Sequence, residues 1–98
     1  MSDNRQALLT SIEAAGVAGT QAIAKWGASV QIAIAVEECA ELIVALQHSA
    51  RGRTTNVVTE VADVLVMAMQ LAHVFGEAKV AEEVERKISR LIGRLDGA

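Results

Sequence analysis

Two stretches of this chain, residues 26–50 and 54–76, are predominantly apolar and contain neither lysine nor arginine. Their apolar residues recur at helical spacing, and in the first stretch they go almost all the way round the helix. A helix that is apolar on nearly every side has to be buried on several sides. A chain of 98 residues cannot easily bury two such helices alone, so we expect a second copy to cover the excess apolar surface.

The composition favours an all-α fold. Hydrophobic residues make up 52% of the chain, aromatic residues only 2%, and proline is absent. A core must therefore be built from Ala, Val, Leu and Ile, which suits packed helices better than a β-sandwich. We predict one domain over residues 1–98, a four-helix bundle that is completed by homo-oligomerisation.

Capping residues and glycines predict where the four helices begin and end. Gly16 and Gly19 are expected to weaken or kink the first helix. The other predicted signals are, in chain order, an N-cap at Ser2 or Asp3, an end near Trp26 and Gly27, an N-cap at Ser29, an end at Ala50, an N-cap at Thr55 or Asn56, a stop at Gly76, a start near Glu77 or Lys79 and an end at Gly97.

The fourth predicted helix has the clearest separation of apolar and charged faces. Because this stripe is continuous, we expect it to cover a core. Its apolar residues follow one another at intervals of three or four: Val80, Val84, Ile88, Leu91 and Leu95.

Charge and cysteine content exclude several classes of protein. A net charge of −3 leaves no excess of cations to neutralise duplex DNA or RNA. Cys39 is the only cysteine, so no disulfide can form within the chain and a cytoplasmic location is expected. The longest uncharged runs, 26–36 and 64–76, are shorter than the roughly 18 residues that a membrane helix needs. No membrane partner is therefore predicted.

Five carboxylates interrupt the two apolar stretches. At 100° per residue, those of each stretch fall on one face within one helical turn. A short connection lets the two helices pack antiparallel, which brings both groups into one acidic pocket. They are Glu37, Glu38, Glu41, Glu60 and Asp63.

Such a pocket requires a counter-ion, because like charges at this separation repel and partial burial adds a cost. Carboxylate oxygens are the ligands that Mg²⁺ or Mn²⁺ prefers. Mg²⁺ usually keeps open positions for substrate phosphates, so phosphate chemistry is the natural prediction.

The sequence Glu37-Glu38-Cys39-Ala40-Glu41, followed after 18 residues by Glu60-Val61-Ala62-Asp63, resembles the EExxE and ExxD signature of MazG-type nucleotide pyrophosphohydrolases. Weaker flanking similarities extend the resemblance over roughly residues 25–95, to small stand-alone members of the kind that phages and mobile elements carry. The resemblance implies the all-α NTP pyrophosphatase fold as a homodimer or homotetramer. It also implies Mg²⁺-dependent cleavage of nucleoside triphosphates to the monophosphate and pyrophosphate, with nucleotide-pool housecleaning as the role.

The acidic residues receive catalytic roles in this scheme. Glu37 or Glu38 accepts the proton of the attacking water. The predicted metal ligands are Glu38, Glu41, Glu60 and Asp63.

Four further residues are candidates for binding the substrate. Trp26 could stack on the base or pack in a core, and the Gln31 amide could read a base edge. Lys87 and Arg90 could hold the polyphosphate, although Glu83 lies one turn before Lys87 and an ordinary surface ion pair is the simpler interpretation.

Two other functions compete with this one. A di-iron carboxylate bundle would need Glu-x-x-His pairs, and neither His48 nor His73 follows a glutamate at that spacing. A non-catalytic helical interaction or metal-binding module needs only the acidic cluster. Enzymatic turnover distinguishes this module from a hydrolase.

Overall fold

The computed structural model describes residues 2–97, and within that range every regular element is a helix. This confirms the all-α prediction and the number of helices. Their bounds are α1 Ser2–Trp26, α2 Ala28–Ala50, α3 Val57–Phe75 and α4 Glu77–Gly97.

The predicted ends of α3 are confirmed. Asn56 is its N-cap, and the Asn56 side chain accepts a hydrogen bond from the backbone N–H of Thr59 at 3.2 Å. Gly76 ends the helix with a φ of 112°, a conformation that glycine adopts without steric cost.

The predicted N-cap of α2 is wrong. Gly27 with a φ of 91° is the N-cap, and Ser29 already lies inside the first turn. One residue separates α1 from α2, so the chain must turn sharply, and this favours glycine over a capping side chain. Asp3 likewise lies within the first turn of α1, not at a cap.

The glycines of α1 serve close packing. The helix runs without interruption through both Gly16 and Gly19, so the kink we expected there is absent. A Cβ built on Gly19 would stand only 2.8 Å from Cγ of Gln70, and one on Gly16 would stand 3.1 Å from Cε of Met69. These glycines let α1 approach α3 closely.

Helices α1, α2 and α3 form one packed unit, with α3 in contact with both of the others. Residues 51–56 connect α2 to α3, and this short connection returns the chain against itself as the sequence predicts. The buried apolar residues are Ala35, Ala45 and Met67. The core of a single chain is therefore small.

Helix α4 stands outside this unit. It contacts only α3, and none of its residues is buried. Ile88 and Leu91, at the centre of the apolar stripe, are 51% and 55% exposed. The expectation that α4 covers a core is therefore wrong for the isolated chain, because the chain turns at Gly76 and leads the helix away from α1 and α2.

Two helical segments, Asp3–Trp26 and Val57–Phe75, are long and apolar enough to cross a membrane by length and composition. A helix at the centre of a packed unit has the same properties, and α3 packs against two neighbours. The cytoplasmic location stays a prediction.

Candidate functional site

Three carboxylates meet where α2 faces α3. Glu38, Glu60 and Asp63 each offer an oxygen within 4.8 Å of the other two, and all three side chains are half-buried. Glu60 and Asp63 lie one turn apart near the start of α3, opposite Glu38 in the middle of α2. We call these three residues the acidic cluster. The structure thus brings together three of the four predicted ligands.

Glu41 and Glu37 lie at the edge of the acidic cluster, and both are exposed. Glu41 nevertheless acts on the cluster, because its charge raises the pKa of both Glu38 and Glu60. Glu37 is not among the three converging side chains.

Partial burial and mutual repulsion raise the pKa values of Glu38 and Glu60. Partial burial raises the pKa of Glu38 above its usual 4.5, and Asp63 raises it further through a hydrogen bond to the protonated form and through its charge. Partial burial also raises the pKa of Glu60, followed by the charges of Glu41 and Asp63. Among the described residues, no positive charge therefore offsets the cost of ionising these two carboxyl groups.

Two oxygen atoms in the cluster have no partner. Oε2 of Glu38 and Oε2 of Glu60 are shielded from solvent and make no hydrogen bond. Within residues 2–97, no lysine, arginine or histidine forms an ion pair with the cluster. Unpaired carboxylate oxygens of this kind are costly unless a cation neutralises them.

The donor set consists of carboxylate oxygens, which divalent cations accept as ligands and which also occur on proteins without an ion. Hard cations such as Mg²⁺ and Mn²⁺ take carboxylate oxygens, and two oxygens on one Mg²⁺ lie at most about 4.2 Å apart. The oxygens of the cluster lie within 4.8 Å of one another, so a bound Mg²⁺ would require any pair spaced more widely than this value to move closer. Glu38, Glu60 and Asp63 could hold the ion, with Glu41 as a fourth ligand from the exposed edge.

An open groove of about 410 Å³ adjoins the cluster. It is lined by the apolar residues Ala40, Val44 and Ala45 and by the carboxylates Glu41 and Glu60. A ligand in this groove would therefore lie beside the carboxylates. Thr55, which precedes the cap of α3, also lines it.

A buried amide pair crosses the same α2–α3 interface. Nε2 of Gln31 donates a hydrogen bond to Oε1 of Gln70 at 2.7 Å, and both residues are more than nine-tenths buried. Sequence reasoning missed Gln70. Its position seven residues after Asp63, on the same face of an apolar helix, is a signal that could have found it.

The predicted base-binding residues lie apart from the acidic cluster. Trp26 is 56% exposed at the end of α1, with Nζ of Lys25 5.4 Å from its ring centroid. It lines a groove of about 360 Å³ between α1 and α3. Gln31 is buried, and its amide nitrogen is engaged by Gln70. Base contact by either residue stays a prediction.

The predicted phosphate-binding residues are not brought to the cluster within one chain. Lys87 and Arg90 are exposed on α4, and α4 makes no contact with α2. Within one chain, the predicted acidic metal ligands and the predicted basic residues of the site therefore lie apart.

No protein-family model, no curated protein and no solved structure matches the chain.

Proposed function

We propose that the chain is a Mg²⁺-dependent nucleoside triphosphate pyrophosphohydrolase, acting on (d)NTPs in nucleotide-pool housecleaning. The observation that carries the proposal is the acidic cluster, in which Glu38, Glu60 and Asp63 converge with two unpartnered oxygens and no cation partner among residues 2–97. The spacing of the acidic residues along the chain, which resembles that of MazG-type enzymes, supports the same proposal.

The resemblance also supports a MazG-like bundle assembled from two or four copies. The exposed stripe of α4 agrees with this, since no residue of that helix is buried in one chain. Mn²⁺ is an alternative cofactor with the same preference for oxygen ligands.

A divalent ion held at the cluster supplies a Lewis acid for the phosphates and lowers the pKa of water. The chain itself supplies the ligand oxygens of Glu38, Glu41, Glu60 and Asp63 on two rigid helices. The groove beside Glu41 and Glu60 can receive the triphosphate next to these ligands.

Proton transfer falls to a carboxylate near the attacking water. In the metal-free chain, partial burial and the neighbouring carboxylates raise the pKa of Glu38 above its usual value, and Glu37 is an exposed neighbour that a water can reach. Either can accept the proton. Lys87 and Arg90 are the candidates for stabilising negative charge on the leaving pyrophosphate.

The test is a panel of canonical and modified NTPs and dNTPs incubated with the full chain and Mg²⁺, with products identified by phosphorus NMR. We expect a nucleoside monophosphate and intact pyrophosphate. Orthophosphate with a nucleoside diphosphate would contradict the proposed bond cleavage. Metal binding without turnover of any nucleotide would favour the non-catalytic metal-binding module instead.

A further inference from the structure

One contact within the α1–α3 unit differs in kind from the apolar contacts around it. The hydrogen bond from Nε2 of Gln31 to Oε1 of Gln70 joins α2 to α3 at 2.7 Å. Among residues 3–97, whose burial is described, these two are the only buried polar residues, at 5% and 6% exposure. A buried hydrogen bond is directional and costly to break, so it ties the two helices together at one point.

This amide pair and the carboxylates share one register between α2 and α3. On each helix, seven residues separate the amide from the first carboxylate, and three residues separate the first carboxylate from the second. The count runs forward along α2 and backward along α3. In two antiparallel helices, equal steps of this kind keep residues opposite each other. The three pairs that result are Gln31 with Gln70, Glu38 with Asp63, and Glu41 with Glu60.

The electrostatics of the carboxylates agree with this register. Beyond the effect of partial burial, Asp63 raises the pKa of Glu38 through a hydrogen bond and through its charge, and Glu41 acts on Glu60 in the same two ways. Ionised carboxylates repel one another, so these two pairs cannot by themselves hold α2 against α3. The amide pair, about 10 Å further along the helices, is the attractive contact of the row.

The apolar contacts between α2 and α3 define the register only weakly. The buried apolar residues of these two helices are Ala35 and Ala45 on α2 and Met67 on α3. Alanine methyl groups offer a shallow surface, and methionine adapts to several packings. In coiled coils, one buried polar contact is enough to specify the register of two helices.

Helix α1 holds Gln70 from its other side. A Cβ built on Gly19 would stand 2.8 Å from Cγ of Gln70, so the backbone of α1 lies directly against this side chain. Gln70 therefore contacts both neighbouring helices and has little freedom to follow a shifted α2.

We propose that Gln31 and Gln70 are positioning residues for the acidic cluster. Their hydrogen bond holds the metal-free chain in the register at which the acidic cluster and Glu41 converge. A slip of one helical turn would move the carboxylates of α2 by about 5 Å relative to those of α3, so that one ion could no longer contact both sets. The binding of a divalent cation rests on the proposed function, whereas the control of register does not.

The first test separates positioning from stability. Gln31→Met or Gln70→Met alone leaves one buried amide without a partner and should lower the melting temperature by about 4 °C or more. The double variant has side chains of similar length and no unpaired amide, so it should recover most of this loss. Its Mn²⁺ dissociation constant, measured by calorimetry, should nevertheless rise by at least about 10-fold, because the carboxylates are no longer preorganised.

Gln47→Met is the matched control for the loss of an amide from α2, because Gln47 is exposed. It should keep both the wild-type melting temperature and the wild-type Mn²⁺ affinity. A folded double variant that binds Mn²⁺ as tightly as the wild type would overturn the proposal, since the amide pair would then contribute to stability alone.

The second test reads the register without metal. The carboxylate oxygens of Glu38 and Asp63 lie within 4.8 Å of each other, so their side-chain protons should give nuclear Overhauser cross-peaks in the metal-free wild type. The double variant Gln31→Met/Gln70→Met should lose these cross-peaks, and Gln47→Met should keep them. Cross-peaks of unchanged intensity in the double variant would overturn the proposal.

Gln31→Asn is a milder second variant for the case that the double variant does not fold, which circular dichroism detects. It keeps an amide on α2 but is shorter by one methylene, so the hydrogen bond cannot close in the native register. Both the Mn²⁺ affinity and the cross-peaks should decrease. A folded Gln31→Asn chain with both unchanged would overturn the proposal.

These readouts do not depend on catalysis. A wild-type chain that binds Mn²⁺ and hydrolyses no nucleotide, with the expected losses in the double variant, would contradict the proposed function and leave the positioning role intact. A wild-type chain that hydrolyses nucleotides, with cross-peaks and affinity unchanged in the double variant, would do the reverse.

Discussion

Helices α3 and α4 are adjacent in sequence but differ in how much of each is buried. The sequence of α3 is apolar on most sides, and the helix packs against both α1 and α2. The sequence of α4 separates apolar from charged residues much more clearly, yet none of its residues is buried. An amphipathic pattern identifies the face of a helix that needs cover, but it does not identify the surface that provides the cover.

The chemistry of the chain divides in the same way. The α1–α3 unit holds the acidic cluster, and α4 holds Lys87 and Arg90. Substitutions that compare the two regions therefore test both the fold and the proposed function.

The largest difference is expected in turnover. Glu60→Gln keeps the size of the side chain but removes a ligand charge from the acidic cluster, so turnover should fall by at least about 100-fold. Lys87→Ala removes one of several cations on α4 and should act more mildly, by about 10-fold. Steady-state pyrophosphate release measures both.

Glu82→Gln is the matched control for the loss of a carboxylate, because Glu82 is exposed on the far side of α4. Undiminished activity in Glu60→Gln would show that the acidic cluster takes no part in catalysis. Equal losses in Glu60→Gln and Glu82→Gln would point to a general effect of charge.

Glycine-to-alanine substitutions should change stability in opposite directions in the two regions. A Cβ at Gly19 would stand 2.8 Å from Gln70, so Gly19→Ala should destabilise the chain by about 1–3 kcal/mol. A Cβ at Gly93 in α4 meets nothing within 4 Å, so Gly93→Ala should stabilise the chain by about 0.5–1 kcal/mol. Thermal unfolding followed by circular dichroism measures both, and two shifts of the same sign would contradict the close packing at Gly19 or the open surroundings of Gly93.

Local signals in the sequence predicted much of the fold. The cap at Asn56, the stop at Gly76 and the convergence of Glu38 with Glu60 and Asp63 depend on neighbouring residues or on one short connection. Helical spacing is sufficient to place such residues on the correct faces.

The remaining features depend on contacts between distant residues. The sequence predicts that Gly19 weakens α1. In the structure, its lack of a side chain lets Gln70, about fifty positions later, pack closely against the helix. The direction of α4, by contrast, depends on the local backbone at Gly76, whose φ of 112° no periodicity reveals. At Gly19, the tertiary contact overrides local propensity.

Divalent metal should stabilise the α1–α3 unit. Because the folded cluster gathers ligands that the unfolded chain disperses, millimolar Mg²⁺ or Mn²⁺ should raise the melting temperature by about 4 °C or more. Asp63→Asn should reduce this increase and also relieve repulsion in the metal-free chain. Glu85→Gln, on exposed α4, should keep the full increase. An unchanged wild-type melting curve would contradict a metal site.

The stability of the metal-free chain should depend on pH in the direction set by Glu38 and Glu60. Folding raises the pKa of both groups above the usual 4.5, so the folded chain binds more protons than the unfolded chain between 4.5 and the raised values. Stability should therefore increase as the pH falls from neutral through this window.

Urea unfolding from pH 7.5 to pH 5 in the presence of a chelator measures this dependence. Asp63→Asn should flatten it, because Asp63 contributes to both pKa shifts. Saturating Mg²⁺ should oppose this increase in stability at lower pH, since the metal binds the deprotonated carboxylates. A metal-free chain that loses stability over this range would contradict the arrangement of the cluster.

The smallest effect is expected from the ion pair within α4. Arg86 donates three hydrogen bonds to Glu83, the shortest being 2.7 Å, but both side chains are more than half exposed and belong to the same helix. Water and salt screen such a pair, so Arg86→Gln should leave the melting temperature almost unchanged. Arg86 also lies on the side of α4 away from Ile88, so the mass of the assembly should not change. A clear loss of either stability or assembly would show that α4 is covered on its polar side, which would exclude the apolar stripe as its main contact.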